Sequence, residues 1–305
     1  MAARLVFATR PSALARWQTR WVISALQAAH PGLECEERVI TTQGDKILDK
    51  PLPEIGGKGL FTLELESELL AGSVQCAVHS LKDLPVENPA GLTLGCIPAR
   101  AEVRDVLISR EGFTLASLPA GALVGTSSPR RAAQIRAARP DVKTASLRGN
   151  VDTRLRKALS EQYDAIILAG AGLTRLGLAE HVTEWLELDV MLPAPGQGAL
   201  AVQCRADDPE TLARLAALED PATRRAVTAE RAFLLGLGGG CSVPVAAYAR
   251  VQPLTGDLHL DGLAADPHGD QVIRVSGTGT DALELGQRLS LAALVRGAVD
   301  FLGLR

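Results

Sequence analysis

The sequence predicts two α/β domains with mostly parallel sheets, followed by a smaller α+β domain. Three observations predict this fold. Strand-like apolar runs alternate with stretches of helical spacing through the first two thirds of the chain. Two breaks read as crossings between domains: residues 98–105, with Pro98 and mixed charges, and residues 193–198, whose prolines and glycines neither a helix nor a central strand accepts. Beyond them the pattern changes to three strands in succession and a closing helix. The expected boundaries are 1–98 with 199–219 for the first domain, 104–193 for the second and 220–305 for the third. A chain of 305 residues accommodates three domains of ordinary size.

In order, Leu5–Thr9 is a short apolar strand, and Ser12 can cap a helix running through Leu14, Trp17, Trp21, Ile23 and Leu26. Leu33–Thr42 reads as a strand. The glycine-rich run Gly56-Gly57-Lys58-Gly59 leads into a helix over Leu60–Ala71. Strands are expected at Val74–Val78, Thr93–Ile97, Val106–Ser109, Leu123–Gly125, Lys143–Ser146 and Ala165–Leu168, with helices over Pro129–Arg139 and Val151–Leu159. Helical stretches follow at Pro209–Leu218 and Thr223–Leu235. Antiparallel strands are expected at Val243–Val251, Leu258–Ala264 and Gln271–Gly277, then a helix from Asp281 to Phe301.

Hydrophobic residues make up 47% of the chain and aromatics only 3%, so the cores are expected to be aliphatic. No apolar run reaches membrane-spanning length, and the apolar stretch at the start is too short for a signal peptide. A cytoplasmic, monomeric protein with no membrane partner is the expectation. The five cysteines are odd in number and scattered, which argues against a disulfide framework and a zinc site. Cys76 and Cys96 lie in apolar runs and read as small buried hydrophobes. Cys241 differs. It stands in Leu237-Gly238-Gly239-Gly240-Cys241-Ser242-Val243-Pro244, where three glycines let backbone and sulfur approach something bulky.

Net charge is −3, yet residues 121–175 hold ten Lys/Arg against four acids, a local excess of +6 that attracts anions. Thr126-Ser127-Ser128-Pro129-Arg130-Arg131 follows a strand and places a serine cap, a proline and two guanidinium forks at a helix start, a receptor for carboxylate or phosphate. Leu147-Arg148-Gly149-Asn150-Val151-Asp152-Thr153-Arg154 repeats the design. Arg175 follows another strand end, and Arg10 with Ser12 follows the first strand. Four arginine corners at strand ends point to a polycarboxylate or polyphosphate ligand. Gly56–Gly59 lacks the spacing of a nucleotide phosphate loop and fits a loop that carries Lys58 and Phe61 over a cleft. In Ala77-Val78-His79-Ser80-Leu81-Lys82-Asp83-Leu84-Pro85, Asp83 is the acid–base candidate, a carboxylate suited to hydrogen-bond N–H groups and stabilise a cation. His79 reads as a packed or capping histidine, since no partner has metal spacing.

These segments together resemble the porphobilinogen deaminase family, from Arg10 to about Pro244 and including Gly56–Phe61, Val78–Pro85, Gly125–Arg131, Leu147–Arg154, Ala169–Leu176, Ala194–Leu200 and Gly239–Pro244. The resemblance implies two domains like those of periplasmic binding proteins and a third carrying the cysteine. It implies a dipyrromethane cofactor joined to Cys241 by a thioether, onto which four porphobilinogen units are added with loss of ammonia before the linear tetrapyrrole is hydrolysed off. By the same resemblance Asp83 is the catalytic carboxylate. Lys58, Ser80, Lys82, Asp83, Thr126, Ser128, Arg130, Arg131 and Arg154 join Cys241 in holding the cofactor. Arg10, Ser12, Phe61, Arg148, Arg154, Arg175 and Gln197 meet the substrate. No metal, nicotinamide or nucleic acid is implied. Glu54 and Leu63 stand where the family commonly has lysine, so no role passes to them. A protein that only bound anions would use the arginine corners but neither Asp83 nor Cys241. A nucleic-acid binder would want aromatics interleaved with the basic segment, which is not the pattern here.

Overall fold

Strand β1 (Arg4–Thr9) is buried at every position from Leu5 to Thr9, as a strand must be when its sheet is covered on both faces. The computed structural model that shows this describes residues 4–46, 60–239 and 243–302. The chain divides into two compact units, Met1–Ala101 with Gly198–Arg224, and Glu102–Gln197 with Arg225–Arg305.

In the first unit β1 joins β2 (Glu34–Val39), β3 (Cys76–Ser80), β4 (Leu92–Cys96) and β10 (Leu200–Arg205) in the order β2-β1-β3-β10-β4. β1 runs parallel to β2 and β3, whereas β10 is antiparallel to β3 and β4. One face, with Leu5, Phe7, Val78 and Val202, packs on Val22 and Leu26 of helix α1 (Ala13–Ala29). The other, with Val6, Ala8 and Ala77, packs on Leu65 and Leu69 of α2 (Leu63–Leu70). Each fully buried leucine there contributes about 1.5–3 kcal/mol. Gln18, Thr19, Val22 and Leu26 of α1 are buried while Trp21 is 39% exposed, and Gln18 donates to Ser80 Oγ.

The second unit repeats the pattern. β5 (Asp105–Ile108), β6 (Leu123–Gly125), β7 (Lys143–Ala145), β8 (Ala165–Ala169) and β9 (Glu184–Trp185) lie in the order β7-β6-β8-β5-β9, with β6 parallel to β7 and β8, and β5 antiparallel to β8 and β9. Helices α3 (Pro129–Ala138), α4 (Val151–Ala158) and α5 (Gly170–Leu176) follow β6, β7 and β8. Ile135 of α3 packs on one face, and Leu155 of α4 with Leu173 of α5 on the other. In both sheets the fourth strand in spatial order is the antiparallel one, so the two are copies of one design.

The tail forms the antiparallel sheet β11 (Val245–Val251), β12 (Leu258–Ala265) and β13 (Val272–Gly279). The helices Pro221–Gly236 and Ala282–Ala293 supply Phe233, Leu285 and Leu289 to its core. Phe233 lies so close to β12 that a Cβ on Gly262 would come within 2.6 Å of its ring. The helix expected over Asp281–Phe301 breaks near its end, where Gly297 takes φ 106. Two five-stranded α/β sheets and a small α+β domain built on a three-stranded antiparallel sheet are therefore the architecture.

Candidate active site

Because β1, β2 and β3 are parallel, the residues following them collect at one edge of the first sheet, where ligands of α/β folds bind. Arg10 and Ser12 follow β1. Ser12 caps α1, its Oγ accepting from Ala15 N at 3.3 Å. Arg10 donates from Nε and Nη2 to the carboxylate of Asp45, which lies in the single helical turn Gln43–Lys46 beyond β2. The Phe61 ring lies 4.1 Å from the Arg10 guanidinium carbon.

After β3 the chain makes one 3₁₀ turn, Leu81–Asp83. Leu81 is fully buried and its N–H donates to Ala199 O at 3.0 Å, which pins the turn and leaves Asp83 exposed, with Lys82 half-buried beside it. Ser80 accepts from buried Gln18 at 2.9 Å. His79 faces inward. Burial pushes its imidazole down to about 4, Gln203 raises it in part, and the nearby Arg10 charge lowers it further. Gln203 does not reach hydrogen-bond geometry with Nε2, which has no partner, so burial decides the direction. His79 is thus a neutral core histidine. Cys76, Cys96 and Cys204 are buried as well, and burial pushes their thiols up, Cys96 to about 12 and Cys204 to about 11.

In the second sheet the corners after β6, β7 and β8 likewise share an edge. Ser128 caps α3 by accepting from Arg131 N, with Pro129 at the first helical position, and Ser128 N donates to buried Thr126 Oγ1. Asn150 caps α4 by accepting from Thr153 N at 3.0 Å. Ser127 ties the two corners together, accepting from Leu147 N and donating to Leu147 O. Arg154 donates from Nε to Gly149 O at 2.7 Å. Arg148 is half-buried at the same corner. Arg175 lies in α5, and burial lowers its guanidinium to about 10, still protonated at neutral pH.

Arg130 and Arg131 turn inward and are only 4% and 6% exposed. Both pair with the fully buried Asp105, Arg130 through Nη1 at 2.7 Å and Arg131 through Nε and Nη2 at 3.1 and 2.7 Å. Gln197, also fully buried, donates to Asp105 at 2.9 Å and to Val103 O. Two cations share one carboxylate, so the cluster keeps a net positive charge. Burial lowers the Arg130 guanidinium, the Asp105 charge opposes this, and the adjacent Arg131 lowers it again. The buried Nε of Arg130 has no hydrogen-bond partner. A buried cation with an orphaned donor is costly unless an anion completes it.

Sequence reading missed Asp105, Asp45 and Glu230. Glu230, fully buried, accepts from Gly196 N and Ala249 N and so ties the second crossing to β11. A charge opening an otherwise apolar strand, as in Asp105-Val106-Leu107-Ile108, was the one available signal. Lys58, Cys241 and Glu54 lie outside the described residues.

Residues 5–213 match the family described as "Porphobilinogen deaminase, dipyromethane cofactor binding domain", and residues 224–294 match "Porphobilinogen deaminase, C-terminal domain". The porphobilinogen deaminase of Roseiflexus castenholzii is 55% identical over 288 residues, covering 94% of each chain. That of Brevibacillus brevis is 50% identical over 294 residues, covering 96% of this chain and 95% of the other. Among solved structures, the methionine-binding protein MetQ shares 11% identity over 72% of this chain and 91% of its own, with a TM-score of 0.44, and adds nothing to the fold described above. With both parts of the family matched in order and relatives this similar over nearly the whole length, the chain belongs to the porphobilinogen deaminase family.

Proposed function

We propose that this chain is a transferase that joins four porphobilinogen units, releasing ammonia at each addition, onto a dipyrromethane primer held through Cys241, and then hydrolyses off hydroxymethylbilane. The observation that carries the reading is the Arg130–Arg131–Asp105 cluster, a buried excess of positive charge with an orphaned Arg130 Nε. Pyrroles bearing acetate and propionate supply the anions such a cluster wants, so the residues present fit the cofactor. When bound, that group supplies the pyrrole carbon to which the first unit is joined.

The chain's own residues divide the remaining work. Thr126, Ser128, Arg130, Arg131 and Arg154, with Ser80, Lys82 and Lys58, hold cofactor carboxylates. Arg10, Ser12, Phe61, Arg148, Arg154, Arg175 and Gln197 serve the incoming substrate. Gln197 acts through Asp105, to which it donates. Asp83, held out on a turn anchored by Leu81, accepts from pyrrole N–H groups and stabilises the cation left on porphobilinogen as ammonia departs. The protein acts as a cytoplasmic monomer with no nucleic-acid or membrane partner; among the described residues no helix is long and apolar enough to cross a membrane.

Asp83→Ala tests the assignment. Ammonia release from porphobilinogen should fall by a factor of about 100 or more while the melting temperature is unchanged, since the side chain is exposed. Near-normal turnover would remove Asp83 from the mechanism.

A further inference from the structure

We infer that Asp45 is a positioning residue, which with Phe61 holds the Arg10 guanidinium so that its opposite edge is presented to a substrate carboxylate. The inference rests on the reading of Arg10 as a substrate-binding group. A guanidinium carries five N–H donors in a planar fork. Asp45 takes the edge formed by Nε and Nη2, with Nε 3.2 and 3.3 Å from its two oxygens. Nη1 donates to none of the described residues, and the edge it forms with the second Nη2 hydrogen is the one a carboxylate grips in bidentate fashion.

The carboxylate is itself held. Thr42 donates to Asp45 Oδ2 from N at 3.1 Å and from Oγ1 at 2.8 Å, and Asp45 N donates back to Thr42 Oγ1 at 3.3 Å. Partial burial pushes the Asp45 carboxyl up, but the bonds and charge of Arg10, with Thr42, outweigh it and the net direction is down, so the acid is ionised at neutral pH. The arrangement is not a solvated surface pair, because the Arg10 and Asp45 side chains are 26% and 12% exposed. Phe61 closes one face of the fork. Its ring fits only because residue 44 is glycine, where an added Cβ would come within 2.1 Å of it. Gly44 N also donates to Leu60 O at 3.0 Å, which fastens the two segments that carry Asp45 and Phe61. One edge and one face of Arg10 are thus fixed before any ligand arrives, which reduces the ordering cost of binding.

The test is a double-mutant cycle of Asp45→Asn with Arg10→Gln in the loaded enzyme. Two readouts are needed: steady-state kinetics with porphobilinogen, and calorimetric binding of a pyrrole with acetate and propionate but no aminomethyl group, which cannot release ammonia. Asp45→Asn should raise KM and the analogue Kd by about 10-fold with kcat within about 2-fold, and should add less than about 2-fold once Arg10 is Gln. An equal effect in both backgrounds, a fall in kcat alone, or tighter binding on losing Asp45 would overturn the inference while leaving the role of Arg10 intact. If Arg10→Gln itself changes neither KM nor Kd, the reading of Arg10 fails and the inference falls with it.

Discussion

His79 stands four residues before Asp83 on the same strand-and-turn segment, buried and neutral, and its burial links stability to pH. The unfolded chain binds a proton at the ordinary histidine value near 6.5, whereas the folded one resists until about 4. Between those values the unfolded state carries more protons, so stability is full above pH 6.5 and is lost as pH falls toward 4. At pH 5 the loss is about 2 kcal/mol. Urea unfolding of wild type and His79→Gln at pH 7 and pH 5 checks this. The drop between the two pH values should be about 2 kcal/mol smaller in the variant, and an identical drop would show that His79 does not drive it. At this scale the capping residues were legible in the sequence. Ser12, Ser128 and Asn150 act on backbone three residues away, and that chemistry is local. Asp105 and Asp45 were not legible, because their arginine partners lie 25, 26 and 35 residues away in sequence. An acid beside a basic residue reads as solvated until the fold shows otherwise.

The corner into α4 is set by one backbone angle. Gly149 has φ 114, and an added Cβ would meet Thr153 Cγ2 at 2.7 Å. Gly149→Ala should therefore cost about 1–3 kcal/mol in chemical denaturation, and it should disturb Arg154, whose Nε donates to Gly149 O. A loss below about 0.5 kcal/mol would mean that the corner relaxes without strain. Elements defined by periodicity and caps were readable to within a few residues, as with the expected Pro129–Arg139 helix and α3. β10 was not. Its pairing with β3 joins Leu200 to Ser80, a contact that no local pattern announces. The same is true of β9, only two residues long. The break at Gly297 escaped notice because a glycine within a helical pattern reads as a tolerated interior residue until its positive φ is seen.

Over the whole molecule, charge and fold point the same way. The chain is acidic overall, yet the segment spanning the corners of the second sheet carries +6, and both α/β sheets gather polar groups at the carboxyl ends of their parallel strands. The small third sheet is fastened to the second within its unit. Ala246 and Leu263 pack on Ala133 and Leu192, and Ala247 N donates to Pro193 O. Gly269 lies so close to α3 that a Cβ would come within 2.5 Å of Ala133 O. The central claim is a covalent primer on Cys241, and the intact mass of the purified protein beside a Cys241→Ser variant tests it most directly. The account predicts an added mass of two linked pyrroles in the wild type, present at purification or gained on incubation with porphobilinogen, and its loss in the variant. A wild-type protein that gains no pyrroles even after that incubation would contradict it.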